Sequence, residues 1–199
     1  MTLIGNKILT GKVEPKRQCE LYYKSMVCKL HTVSKFLEKI NVPNWLCAGT
    51  VLGAARGKKI IPGDSDIDLG IWHSDANKII NLPDSIKKQF NFFHWHLNDY
   101  GYKIQKTAVE NGHLPIDLFE YIEQGSMVYP VSDPYLKCEK RFFVDLKKIK
   151  FYGYDFYAPR DYKGYLTALY GPDWGTPISR QEYDSRFFVR KFWHTYCSL

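Results

Sequence analysis

Two stretches, Gly49-Thr50-Val51-Leu52-Gly53-Ala54-Ala55-Arg56 and Ile61-Pro62-Gly63-Asp64-Ser65-Asp66-Ile67-Asp68-Leu69-Gly70-Ile71-Trp72, decide how this chain is read. The apolar run Trp45-Leu46-Cys47-Ala48 leads into Gly49-Thr50 and then Val51 to Arg56, which predicts strand, tight turn, helix. Ile60-Ile61-Pro62-Gly63 breaks that helix. Asp64, Asp66 and Asp68 then alternate with Ser65, Ile67 and Leu69, the period of a strand with acids on one face. On such a strand the Asp66 and Asp68 carboxylates stand about 7 Å apart along the chain. They repel, and a hard divalent cation held by oxygen ligands offsets the repulsion. A charged edge strand facing solvent is the plainer alternative. Gly49 and Thr50, at a helix start, add bare backbone N–H groups and a hydroxyl suited to phosphate oxygens. Asp117, within Ile116-Asp117-Leu118, supplies a third inward carboxylate from another strand.

Outward from this centre, Tyr23, Met26, Leu30, Val33, Leu37 and Ile40 recur at steps of three and four, one face of an amphipathic helix over about 16–41. Asp75 to Phe92 predicts a helix interrupted near Pro83. Tyr102 to Val109 and Leu114 to Tyr121, joined through Glu110-Asn111-Gly112, predict an antiparallel hairpin. Phe142-Phe143-Val144 and Ile149 to Tyr157 read as strands, the latter with a turn around Gly153-Tyr154-Asp155. Asp161 can cap a helix through Tyr162, Tyr165, Leu166 and Leu169 that Gly171-Pro172 ends. A final helix is expected from about Gln181 to His194. No linker composition interrupts the 199 residues, so the expectation is one α/β or α+β domain with a mixed sheet flanked by helices, α+β being preferred. Its motifs lie within 45–121 and its C-terminal strands and helices within 142–199.

Composition narrows the function classes. Hydrophobic residues at 45% and charged residues at 25% are globular proportions and exclude fibrous or disordered proteins. Ile40 to Ala55, the longest uncharged stretch, is too short and polar to span a membrane, and the N-terminus carries no apolar leader. The expected location is therefore cytoplasmic, a secretory-pathway location requiring a tethering partner. Five cysteines without a C-x-x-C pair argue against structural zinc and for free thiols. Twenty-eight Lys and Arg against 21 Asp and Glu give +7, which favours an anionic partner. The positive charge is scattered and no nucleic-acid-binding motif is present, so a small phosphorylated substrate is preferred to nucleic acid.

Taken together, Gly-Thr, then Asp-apolar-Asp, then a distant Asp between apolar residues resembles the DNA polymerase β type nucleotidyltransferase superfamily. The longer run from Gly49 to Asp68 is similar to the LicD/fukutin family in particular. Pro115-Ile116-Asp117-Leu118-Phe119 resembles its second acidic motif, and Pro159, Tyr165-Leu166, Tyr170-Gly171, Trp174 and Pro177 its C-terminal signature. Gly63 stands where that family usually has Trp, and Ser65 where it has a further Asp. No Cys/His counterpart of the zinc-binding insertion of animal fukutin-related proteins, nor their membrane stem, is present, so a minimal catalytic module is expected. The resemblance implies a nucleotidyltransferase-like fold. It also implies transfer of phosphocholine, ribitol phosphate or glycerol phosphate from a CDP-linked donor to a glycan hydroxyl.

The expected catalytic residues are Asp66, Asp68 and Asp117, with Asp64 joining them as ligands of Mg²⁺ or Mn²⁺. Asp117, arriving from its own strand, is also the candidate general base toward the acceptor hydroxyl. Gly49, Thr50 and Arg56 are expected at the donor phosphates, and Lys58, His113, Tyr170 and Trp174 in the substrate pocket. Two other classes remain open: an NTP-dependent nucleotidyltransferase acting on a small molecule or RNA, and a basic binding module without catalysis.

Overall fold

The structure, a computed structural model, describes residues 15–64, 66–90, 92–99, 102–109, 116–132, 136–179 and 181–185. Helix α1 (Pro15–Lys39) follows the apolar periodicity, and Met26, Leu30, Val33 and Leu37 are buried along its inner face. Asn41 stops it with φ of 56°, a left-handed conformation that asparagine tolerates, while the Val42 N–H donates back to the Leu37 carbonyl.

After α1 come β1 (Asn44–Leu46), α2 (Ala48–Gly57) and β2 (Ile67–Trp72). Two expectations change here. Gly49 and Thr50 lie inside the first turn of α2 rather than in a turn before it. Asp64 and Asp66 precede β2, so only Asp68 of the three acids is on the strand. Pro62 and Gly63, the latter with φ of 85°, form a turn ahead of β2.

The interrupted helix is present as α3 (His73–Ile80) and α4 (Asp84–Phe90). It ends earlier than expected, because Phe92 opens a strand, β3 (Phe92–Asp99). Phe90 and Phe92 both pack on Phe36 of α1, with centroids 4.3 and 6.1 Å away, and this shared apolar contact masks the helix-to-strand change in the sequence. The expected hairpin strands are β4 (Tyr102–Val109) and β5 (Ile116–Gln124); their connection lies outside the described residues. Two strands the sequence did not announce, β6 (Met127–Pro130) and β7 (Cys138–Glu139), follow.

Phe142-Phe143 is not a strand but part of a 3₁₀ turn, Lys140–Phe143. Both rings are buried, and the turn seats Phe143 against Trp45, Tyr121 and Tyr165. Strands β8 (Leu146–Phe151) and β9 (Tyr154–Pro159) form a separate hairpin turning at Tyr152-Gly153. Helix α5 (Tyr162–Tyr170) starts as expected, with the Gly164 N–H donating to Asp161 Oδ1 at 2.9 Å. Of the expected last helix, residues 181–185 are helical and the remainder lies outside the described residues.

The main sheet has the order β1-β2-β5-β4-β3, with β6 and β7 added beside β5. Central to it is the parallel pairing of β2 with β5, all other pairs among the described residues being antiparallel. Ile67, Leu69 and Ile71 of β2 and Ile116 and Leu118 of β5 are buried, and by strand alternation they share the face opposite the aspartates. On the aspartate side, Gly70 leaves room for the Trp45 indole, whose ring would collide with a Cβ at that position. The result is the expected α+β architecture, a mixed sheet with flanking helices.

Candidate active site

The register of the sheet builds the site. Asp68 and Asp117 are direct partners across β2 and β5, and in a parallel ladder paired side chains project from the same face of adjacent strands. Asp66 enters one pleat earlier. One carboxylate oxygen from each of Asp66, Asp68 and Asp117 lies within 4.8 Å of the other two. Asp68 is 5% exposed and Asp117 2%. Oxygen ligands around one Mg²⁺ or Mn²⁺ at about 2.1 Å stand roughly 3 to 4.2 Å apart, so this all-oxygen set of three carboxyl groups fits a small hard divalent cation after minor adjustment. Soft thiol or imidazole ligands are not part of the group.

A cleft of about 1040 Å³ opens over the carboxylates, lined by Asp64, Asp66 and Asp68, by Ala48, Gly49 and Arg56 of α2, and by Phe119, Tyr170, Trp174 and Tyr183. Asp64 therefore stands in the cleft wall without joining the three converging oxygens. Its carboxylate packs against Gly49, where an added Cβ would lie 2.9 Å from Asp64 Oδ2. Asp117 is more buried than its companions and is not part of the cleft wall.

Thr50 is turned inward. It is 4% exposed, and its hydroxyl accepts the backbone N–H of Asp68 at 2.7 Å. The expected phosphate donor thus engages the strand that carries the carboxylates. Lys58 is an exposed cap of α2 with φ of 55°. Its carbonyl accepts the Tyr152 N–H, and its side chain does not line the cleft, in contrast to the pocket role expected for it. Tyr170 and Trp174 do line it. His113 lies outside the described residues.

Close to the carboxylates lie buried neutral groups, of which Cys47 and Tyr121 were not assigned to the site by motif reading. Cys47 is fully buried, and burial, then the charge of Asp68, push its thiol well above the ordinary range against an opposing hydrogen bond from Tyr121. The Tyr121 and Tyr165 hydroxyls are 3.2 Å apart, and the Tyr165 hydroxyl accepts the Ala48 N–H at 3.3 Å. Desolvation raises both phenols well above the usual value. Tyr170 is raised the same way, with Tyr183, Tyr165 and Asp68 adding to the effect. The Cys47 thiol and the Tyr121 and Tyr165 phenols thus stay uncharged at neutral pH, as does Tyr170 in the cleft wall. One signal for Tyr121 was present in the sequence, since alternation along β5 places residues 117, 119 and 121 on one side.

Adjacent parallel strands of the mixed sheet thus carry two of the three converging carboxylates. The chain belongs to the LicD/FKTN/FKRP family, matching its nucleotidyltransferase domain over residues 41–161. It is 29% identical over 182 residues to an uncharacterized protein of Rickettsia typhi, an alignment covering 87% of this chain and 52% of that protein. It is 30% identical over 146 residues to the ribitol 5-phosphate transferase FKRP of Mus musculus, covering 68% of this chain and 29% of that protein. The chain thus spans about half or less of the length of these two relatives. Among solved structures, the antibiotic-resistance factor ANT(2'')-Ia aligns with TM-score 0.49 and 14% identity, over 87% of this chain and 98% of that one. No helix among the described residues is long and apolar enough to cross a membrane.

Proposed function

We propose that this chain transfers a phospho-substituted alcohol, such as ribitol phosphate, glycerol phosphate or phosphocholine, from a CDP-linked donor to a glycan hydroxyl. The observation that carries the reading is the convergence of Asp66, Asp68 and Asp117 at the floor of a cleft with aromatic side chains in its wall. Family membership and the activity in the name of the mouse relative support it.

Asp66, Asp68 and Asp117 would hold Mg²⁺ or Mn²⁺, which when bound would neutralise charge developing on the transferred phosphoryl oxygens. Asp68 is fixed for that task by the Thr50 hydroxyl at its own N–H, and Asp117 by its place in the centre of the sheet. Burial gives Asp117 a ligand role more readily than contact with an acceptor hydroxyl. Gly49 leaves space at the start of α2 for the Asp64 carboxylate, which packs against it in the cleft wall. Tyr170 and Trp174 present ring surface to the nucleoside or the acceptor sugar.

A thermal-shift panel of CDP, CMP, ATP and GTP, each with and without Mn²⁺, tests the reading. Mn²⁺-dependent stabilisation by CDP or CMP in preference to ATP is expected. Preference for an NTP instead assigns nucleotidyl transfer, and no metal-dependent nucleotide binding assigns a non-catalytic module.

A further inference from the structure

Arg56 sits in the last turn of α2 and is the one cationic side chain in the cleft wall among the described residues. A guanidinium so placed suggests a phosphate ligand. Two of its donors are committed elsewhere. Arg56 Nε–H donates to the Trp174 carbonyl at 2.6 Å and Nη2–H to the Thr176 carbonyl at 3.0 Å. Both carbonyls belong to a strap, residues 171–179, that leaves α5 at Gly171 with φ of 93°. The strap is folded by two tight turns, Trp174 N–H to the Gly171 carbonyl and Thr176 N–H to the Asp173 carbonyl. It contributes Pro172, Trp174 and Ile178 to the cleft wall.

The α5–strap unit is therefore fastened to both ends of α2. At the N-terminal end the Tyr165 hydroxyl takes the Ala48 N–H; at the C-terminal end Arg56 takes the two strap carbonyls. Because the acceptors are backbone atoms, Arg56 fixes the path of the strap whatever its side chains are. A planar fork can satisfy two carbonyls at once, whereas an ammonium is a single point charge on a flexible stem.

We infer that Arg56 is a positioning residue whose guanidinium holds the 171–179 strap in place as a wall of the substrate cleft. The inference deepens the proposed transferase function and rests on it for the nucleotide readout alone. Full-length wild type, Arg56→Lys and Arg56→Met are compared by chymotryptic cleavage after Tyr170 and Trp174, by Mn²⁺ affinity, and by CMP affinity with Mn²⁺ present.

Both variants, the charge-conserving lysine included, should lose strap protection by about fivefold or more and CMP affinity by roughly tenfold. Affinity for Mn²⁺ alone should stay within about twofold, since Asp66, Asp68 and Asp117 do not depend on the strap. Wild-type strap protection in Arg56→Lys overturns the inference, because charge alone then suffices. Should either variant fold poorly, the wild-type Arg56 Nε–H resonance decides: slow solvent exchange that persists on adding CMP and Mg²⁺ supports the strap role, and loss of that protection overturns it. Absence of any cytidine-nucleotide binding by the wild type removes the proposed function, while strap protection still decides the role of Arg56.

Discussion

Asp68 and Asp117 face each other across the one parallel strand pair described in the main sheet. Two carboxylates in that relation, each nearly inaccessible to water, repel strongly unless a cation lies between them. Replacing either by Asn should abolish divalent binding and transfer while holding or raising the metal-free melting temperature. Isothermal titration with Mn²⁺ and a melting curve in chelator check both. Wild-type turnover in either variant would remove the metal-site assignment.

Thr50→Val is expected to destabilise the fold as well as weaken metal binding. The valine keeps the branched shape but leaves the buried Asp68 N–H without its acceptor, a loss of about 1–3 kcal/mol. Thr50→Ser should restore most of it. A reduced nucleotide affinity with an unchanged denaturation midpoint would instead place the hydroxyl at the donor phosphates.

Gly49→Ala should separate site from fold. Alanine suits a helix better than glycine by about 1 kcal/mol, so stability holds or improves, yet the new methyl must displace the Asp64 carboxylate 2.9 Å away. Transfer should fall roughly tenfold or more, an effect of about 1.4 kcal/mol on the barrier. Normal transfer would show that Asp64 can move without consequence.

Stability should decline in alkali. The Cys138 thiol is pushed up to about 12 by burial, from an unfolded value near 9, and Cys47, Tyr121, Tyr165 and Tyr170 are also raised by burial. Between those values the unfolded chain has released protons that the folded chain retains. The stabilisation is full below about pH 9 and is lost as pH rises toward 12. Urea midpoints measured from pH 7 to 11 should fall above pH 9, and at neutral pH a thiol reagent should label exposed Cys28 well before Cys47 or Cys138. A flat profile would contradict the burial of these groups.

Local chemistry was legible in the sequence. The apolar face of α1, the Asp161 cap of α5 and the hairpin strands β4 and β5 follow from periodicity and turn residues. Each is set by residues close together in the chain, and such patterns survive whatever surrounds them. The acidic alternation likewise marked Asp66 and Asp68, and the isolated Asp117 between apolar residues marked a second strand.

What the sequence could not decide is which of these meet. The parallel register that sets Asp117 beside Asp68 joins strands separated by two helices and two further strands, and such pairing is fixed by packing of the whole sheet. Tertiary packing also turned Thr50 toward the Asp68 backbone and left Asp64 in the cleft wall outside the converging oxygens. It committed Arg56 to the carbonyls of Trp174 and Thr176. For Thr50 and Arg56 the role was settled by which partner the fold brought within hydrogen-bond distance, and that distance is set by the three-dimensional arrangement of elements remote in sequence.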